Sequence, residues 1–193
     1  EGVVITKYGH AKGEIPRVRI FEAGHPQPDE RSLAATQQAI DLVSGLSGED
    51  TVLFLLSGGG SALFEKPLIP LEELRSVTAQ LLGCGADIKE INTIRKRLSS
   101  VKGGRFAQIC APARVLTIVL SDVVGDSLDM IASGPAYPDA STSEEALAIA
   151  KRLGLKMSDA AWELLKKETP KKLDNVETIV TGSVRRLCEE AER

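Results

Sequence analysis

The sequence contains one glycine-rich segment that could hold an anion. Ser57-Gly58-Gly59-Gly60-Ser61 follows directly on the apolar run 51–56. Glycines let the backbone turn sharply and bring its N–H groups close to a ligand, and the two serines add hydroxyl donors. The preferred ligand of such a loop is a phosphate or a carboxylate. The complete dinucleotide and Walker patterns are absent, so a tight turn without a ligand remains an alternative.

Basic residues form a second candidate feature. The net charge of the chain is -3, yet five cations fall within the positions 95–105: Arg95, Lys96, Arg97, Lys102 and Arg105. A solvated helix face is the ordinary interpretation of such a run. The glycine pair Gly103-Gly104 beside Lys102 instead favours a second contact with an anion.

Two aspartates follow another apolar run. The run 114–120 ends in Ser121-Asp122-Val123-Val124-Gly125-Asp126. Ligands of open α/β sheets bind beyond the carboxyl ends of strands, where carboxylates can hold Mg²⁺ or accept a proton from a hydroxyl. Capping of a helix by Asp122 is the alternative. The small segment 131–135, with Ser133 and Gly134, could line the same cleft.

The apolar patterns predict the elements that position these segments. Strand-like runs at 51–56, 114–120 and 176–180 alternate with helical patterns, which include 71–82 and a helix capped by Ser143. This alternation indicates an α/β fold with a three-layer, doubly wound, mostly parallel sheet of the Rossmann-like kind. The continuous apolar run 51–56 predicts a strand that is covered on both faces. We expect residues 1–193 to form a single α/β domain.

Composition excludes several classes of function. The net negative charge and an aromatic content of 4% disfavour binding to nucleic acid, and no apolar run is long enough to span a membrane. We therefore expect a cytoplasmic protein. The three cysteines show no CxxC spacing, so neither a disulfide framework nor a zinc site is predicted. His10 and His25 lack partners at metal-ligand spacing and are interpreted as hydrogen-bonding loop residues.

Six blocks in one order resemble the signature segments of class II glycerate 2-kinases. The blocks are AGHPQPD at 23–29, LSGGGSAL at 56–63, EINTIRKRLS at 90–99, VKGGR at 101–105, SDVVGD at 121–126 and IASGP at 131–135. The resemblance covers about residues 1–155 strongly. It implies an ATP-dependent, Mg²⁺-assisted kinase that phosphorylates D-glycerate at its 2-hydroxyl. It also implies that this chain is a fragment of a longer two-domain kinase, so turnover is expected of that longer protein.

The resemblance assigns roles to individual residues. Asp122, Arg95 and Lys102 are the expected catalytic residues, and Asp122 and Asp126 are the expected metal ligands. Phosphate or glycerate is expected to contact a larger set: Ser57, Gly58, Gly59, Gly60, Ser61, Asn92, Lys96, Gly103, Gly104, Ser133 and Gly134. The expected partners are glycerate and nucleotide, and a homodimer is compatible with this assignment.

Two other functions stay open from the sequence. A phosphosugar-binding or isomerase domain also uses a serine-and-glycine loop after a parallel strand, but it does not require the aspartate pair. An NAD(P)-dependent hydroxypyruvate reductase agrees with a name that some members of the family have carried. The missing GxGxxG pattern disfavours it.

Overall fold

The strands of this protein pair in parallel. The structure, a computed structural model, describes residues 1–120 and 128–182. One sheet pairs β1 (Gly2–Lys7) with β2 (Val18–Ala23), and a second has the order β3 (Thr51–Leu56), β4 (Arg114–Leu120), β5 (Val176–Gly182). Parallel strands need crossover connections. Helices supply them from β3 to β4 and from β4 to β5, whereas the non-helical segment 8–17 joins β1 to β2. The predicted α/β class with mostly parallel strands is confirmed.

Seven helices and one 3₁₀ turn lie between β2 and β5 in the described ranges. They are α1 (Glu30–Val43), α2 (Gly60–Leu63), α3 (Leu71–Gly83), α4 (Ile88–Leu98), α5 (Arg105–Cys110), the 3₁₀ turn Ile131–Ser133, α6 (Ser143–Arg152) and α7 (Asp159–Leu165). The cap of α6 is Thr142 and not Ser143, because the Thr142 side chain accepts a hydrogen bond from the Glu145 N–H. The Glu145 carboxylate accepts one from the Thr142 N–H in return, which completes a capping box.

Helix α4 separates an apolar core from a polar region. Its residues Ile91, Ile94 and Leu98 lie on one face and pack with α3, α6 and α7 in a cluster that contains no strand residue. A second cluster joins α1, α5 and the sheets around Phe64, Phe106 and Val115. The polar face of α4 therefore points away from the helical core, toward the loops that follow β3 and β4.

One face of the second sheet is open, which corrects the expectation that β3 is covered on both sides. Leu53 and Leu55 are 57% and 66% exposed, and Leu120 and Ile179 on the neighbouring strands are also exposed. Sheets whose strands are all parallel are normally covered on both faces. The apolar run at 51–56 thus correctly predicts a strand of a parallel sheet, but the described residues cover only one face of that strand. No helix of the described ranges is long and apolar enough to cross a membrane.

We expect the open face to cause self-association of the 1–193 polypeptide. Contiguous exposed apolar side chains associate to leave water. In analytical ultracentrifugation, the sedimentation coefficient should rise with concentration, and the double variant Leu53→Lys, Leu55→Lys should shift the polypeptide toward monomer. Val4→Lys, on the other sheet and 39% exposed, is the control. A wild-type polypeptide that stays monomeric at about 100 µM would refute this expectation.

Candidate anion-binding site

The glycine loop, residues Ser57 to Ser61, connects β3 to the short helix α2. Ser57 and Gly58 are exposed, and Gly59 has a φ of 86°, a left-handed value that favours glycine. Within residues 1–120 and 128–182, the N–H groups of Gly58 to Ser61 donate to no acceptor. Successive unpaired donors beyond the carboxyl end of a parallel strand can bind an anion.

A strained turn lies directly against the glycine loop. Ala132 and Ser133 have φ values of 50° and 63°, and Gly134 continues the turn with 62°. A non-glycine residue in this region costs about 1–3 kcal/mol and persists only where its surroundings fix it. A Cβ on Gly60 would lie 2.7 Å from the Cβ of Ala132, so the close approach of loop and turn requires glycine at position 60. We call Ala132 to Gly134 the left-handed turn.

The segment Lys102-Gly103-Gly104 holds the left-handed turn in place by donating hydrogen bonds to the turn's three successive carbonyl oxygens. The bonds run from Lys102 Nζ to Ala132 O (3.1 Å), from Gly103 N to Ser133 O (3.0 Å) and from Gly104 N to Gly134 O (2.8 Å). Lys102 Nζ also donates to the Phe64 carbonyl at 3.0 Å, at the end of α2. These donors are occupied inside the protein, and the expected contact of this segment with an anion stays a prediction.

The environment of Lys102 is closed. Its side chain is fully buried, and burial lowers the pKa of the ammonium to about 8, a shift that the Glu65 carboxylate partly opposes. Gly103 and Gly104 are also buried, and a Cβ on Gly104 would lie 3.2 Å from Pro170 Cβ and from the Tyr137 carbonyl. This segment therefore positions the turn and packs tightly behind it.

Ser133 and Asn92 join the left-handed turn to the glycine loop. The Ser133 hydroxyl donates to Asn92 Oδ1 at 2.7 Å, and its oxygen lies 3.4 Å from the Ser61 hydroxyl oxygen. Ser133 and Asn92 are 0% and 2% exposed, whereas Ser61 is half-buried. The structure thus brings these three predicted residues together, with Ser61 toward the surface and the other two behind it.

Arg95 reaches the glycine loop from α4. Its Nη2 donates to the Ser61 carbonyl at 2.8 Å and lies 3.4 Å from the Glu65 carboxylate. The Nε atom is buried without a hydrogen-bond partner in the part of the chain that the structure describes, and the side chain is 13% exposed. Among the five clustered cations, Arg95 is the one that contacts the glycine loop and retains donors for a ligand.

Lys96 and Arg97 point to a buried carboxylate instead. Lys96 Nζ lies 3.0 Å from Asp139 and 3.2 Å from Asp129, and Arg97 Nη1 lies 3.8 Å from Asp139. Asp139 also accepts hydrogen bonds from Thr169 and Ser141. Both cations are almost fully buried. Lys96 and Arg97 therefore do not lie on a solvated face, and Lys96 forms an internal ion pair, while its expected contact with an anion stays a prediction.

Glu65 is a site residue that sequence reasoning missed. Its carboxylate is fully buried between two cations, 3.4 Å from Arg95 and 3.7 Å from Lys102. Its N–H donates to the Thr36 hydroxyl, which fixes the backbone after α2. The available signal was weak: Glu65 directly follows the apolar residues 62–64, and an acid that is buried needs a cationic partner, but the adjacent Lys66 offers one without any long-range contact.

The aspartate prediction lies outside the described residues. Asp122 and Asp126 fall in the segment 121–127, and nothing in the structure tests their roles. Within the ranges on either side, no group of three or more His, Cys, Asp or Glu residues could hold a metal ion. The donors at the glycine loop are N–H groups, hydroxyls and a guanidinium, which fit a phosphate or carboxylate better than Mg²⁺.

Fold and site define an α/β domain that presents a hydrogen-bond-donating loop beyond the carboxyl end of a parallel strand. The chain belongs to the family described as "Domain of unknown function (DUF4147)", which matches residues 1–166. A Thermotoga maritima protein named D-glycerate 2-kinase is 54% identical over 193 residues, covering 99% of this chain and 46% of its own.

A solved structure and a further relative are also similar to this chain. The crystal structure of a glycerate kinase from Thermotoga maritima superposes with a TM-score of 0.95 at 55% identity, over 98% of this chain and 46% of that one. A relative from Agrobacterium vitis, 44% identical over 88% of this chain and 40% of its own, carries a provisional hydroxypyruvate reductase name. The chain spans less than half of the length of these relatives.

Proposed function

We propose that this chain supplies part of the site of a D-glycerate 2-kinase, which transfers a phosphoryl group from ATP to the 2-hydroxyl of D-glycerate. The main structural support is that Arg95 contacts the glycine loop at Ser61, so that the guanidinium, the Ser61 hydroxyl and the loop N–H groups lie close together. The identity to a protein named D-glycerate 2-kinase over nearly the whole chain supports the same proposal. Residues 1–193 would form one α/β domain of a longer two-domain kinase.

The proposed roles of the described residues follow from how deeply each residue is buried beneath the surface of the site. Phosphoryl transfer depends mainly on positioning and on charge neutralisation. The unpaired N–H groups of the glycine loop, the Ser61 hydroxyl and the Arg95 guanidinium contact anionic oxygens of nucleotide or glycerate. Asn92 and Ser133 hold Ser61 from behind. Lys96, Lys102, Gly103 and Gly104 act one layer deeper by fixing α4 and the left-handed turn.

Two finer roles are proposed from the sequence alone. Asp122 accepts the proton of the 2-hydroxyl, or binds the metal together with Asp126. Mg²⁺, when bound, neutralises charge on the phosphate oxygens. A homodimer and a cytoplasmic location also remain predictions.

The experiment uses the longest natural polypeptide that carries residues 1–193. With D-glycerate, ATP and Mg²⁺, we expect release of ADP, and Asp122→Asn should lower turnover about a hundredfold, the scale of a general-base contribution. Asp41→Asn, an exposed aspartate on α1, is the control and should match the wild type.

Two outcomes would replace this proposal. Oxidation of NADH or NADPH with hydroxypyruvate, in the absence of phosphoryl transfer, would favour the reductase name that the Agrobacterium relative carries. Binding of sugar phosphates without any transfer from ATP would favour the phosphosugar-binding alternative. An Asp122→Asn variant with full activity would remove Asp122 from the mechanism.

A further inference from the structure

His25 lies against the glycine loop. Its Nε2 and Cδ2 atoms are 3.1 Å from the position that a Cβ of Gly59 would occupy. The loop between β2 and α1 carries His25 two residues after β2 ends, and Gly59 comes three residues after the end of β3. The carboxyl ends of strands from both parallel sheets therefore meet at this contact, which is the edge where α/β folds bind ligands.

The imidazole of His25 has no hydrogen-bond or ion-pair partner among the described residues. The side chain is exposed, and within residues 1–120 and 128–182 it forms no hydrogen bond or ion pair. This observation contradicts the sequence-based interpretation of His25 as a hydrogen-bonding loop residue. An imidazole N–H would add one more donor beside the unpaired N–H groups of the glycine loop.

The loop that carries His25 is held in place on both sides of it. Pro28, three residues later, accepts hydrogen bonds from Arg75 Nε and Nη2 through its carbonyl oxygen. Asp29 caps α1 through the Ser32 N–H and accepts a bond from the Tyr8 hydroxyl. Ala23, at the end of β2, is fully buried. A fixed loop keeps the imidazole at Gly59 at a small entropic cost on binding.

We propose that His25 is a contact residue of the glycine-loop site and donates an imidazole N–H to an anionic oxygen of the ligand. The shared chemistry is a carboxylate or phosphate oxygen, which glycerate or the nucleotide could supply. The inference rests on the proposed anion site. It does not require phosphoryl transfer, because it concerns the binding of D-glycerate or of ATP in the absence of the other.

The first test follows the imidazole resonances of the longest natural polypeptide that carries residues 1–193. The signal that disappears in His25→Ala belongs to His25, and the one that disappears in His10→Ala belongs to His10, an exposed residue in the loop after β1. D-glycerate and ATP are added in separate samples. One of them should shift the His25 signal, which identifies the source of the anionic oxygen, while the His10 signal stays unchanged.

Calorimetry then measures the affinity for the same two ligands. His25→Ala should weaken binding of the ligand that shifts its resonance by about tenfold, the scale of one hydrogen bond to a charged group. His10→Ala should bind it within about twofold of the wild type. If phosphoryl transfer is absent but the shift and the loss of affinity occur, the inference stands and the proposed function fails. If neither anion shifts the His25 signal, or His25→Ala binds both as the wild type does, the inference is wrong even for an active kinase.

Discussion

Replacing Arg95 by methionine should lower kcat/KM for phosphoryl transfer by about a hundredfold or more. Loss of one preorganised donor to a developing or resident anion typically costs a factor of 10²–10³. Arg95 is the clustered cation that contacts the glycine loop, through the Ser61 carbonyl at 2.8 Å. Methionine keeps much of the side-chain length but removes every donor. Steady-state kinetics in the longest natural polypeptide measures the effect.

Two further variants make this result specific. Arg114→Met removes an exposed arginine that pairs with Glu177 on the surface, and such pairs contribute little, so its kcat/KM should match the wild type. Arg95→Lys retains the charge but not the planar guanidinium, and it should recover activity only in part. Wild-type kinetics in a folded Arg95→Met protein would show that the guanidinium has no contact with substrate or nucleotide.

Asp139→Asn should lower the free energy of unfolding by about 3–5 kcal/mol. Removing one partner of a buried ion pair leaves an uncompensated charge, and this is the cost usually found. Asp139 is fully buried, 3.0 Å from Lys96 Nζ and 3.8 Å from Arg97 Nη1. Asp129 and Glu168 remain near the two cations but are more exposed, so they compensate only in part. Urea denaturation followed by circular dichroism measures the difference.

The same substitution should change the acid dependence of stability. Burial alone would raise the pKa of the Asp139 carboxyl, but the Lys96 charge and hydrogen bonds from Thr169, Lys96 and Ser141 hold it below its ordinary value of 3.8. Its contribution is therefore complete above about pH 4 and is lost as the pH falls through the folded-state pKa. Asp139→Asn lacks this component, so its unfolding free energy should fall less steeply below pH 4. Asp174→Asn, on an exposed pair with Lys172, should behave as the wild type does.

The elements of the fold were predictable because their signals are local. Continuous apolar runs mark β3 and β4, and the spacing of Ile91, Ile94 and Leu98 marks the buried face of α4. The meeting of Ser61, Asn92 and Ser133 was also predictable in outline, since loops at the carboxyl ends of parallel strands converge. The open face of β3 was not, because a sequence pattern records that a strand needs covering but not which polypeptide covers it.

The depth of the cations could not be read from the sequence. Charge and spacing place Arg95, Lys96 and Lys102 on one candidate surface, but each is directed by a partner far along the chain. Lys96 pairs with Asp139, and Lys102 donates to the carbonyl of Ala132 in a left-handed turn. Neither partner carries a sequence signal of its role, because the pairings arise only when the segments pack. For the same reason the pairing of Glu65 with Arg95 and Lys102, and the contact of His25 with the glycine loop, were not predicted.

Phosphorus NMR of the reaction product tests the central claim most directly. The longest natural polypeptide that carries residues 1–193 is incubated with D-glycerate, ATP and Mg²⁺, and the position of the new phosphate is read from its coupling to the carbon-bound protons. The proposed site predicts 2-phosphoglycerate, formed together with ADP in equal amounts. A product phosphorylated only at the 3-hydroxyl, or no phosphoryl transfer to D-glycerate, would contradict the assignment of this chain to a D-glycerate 2-kinase.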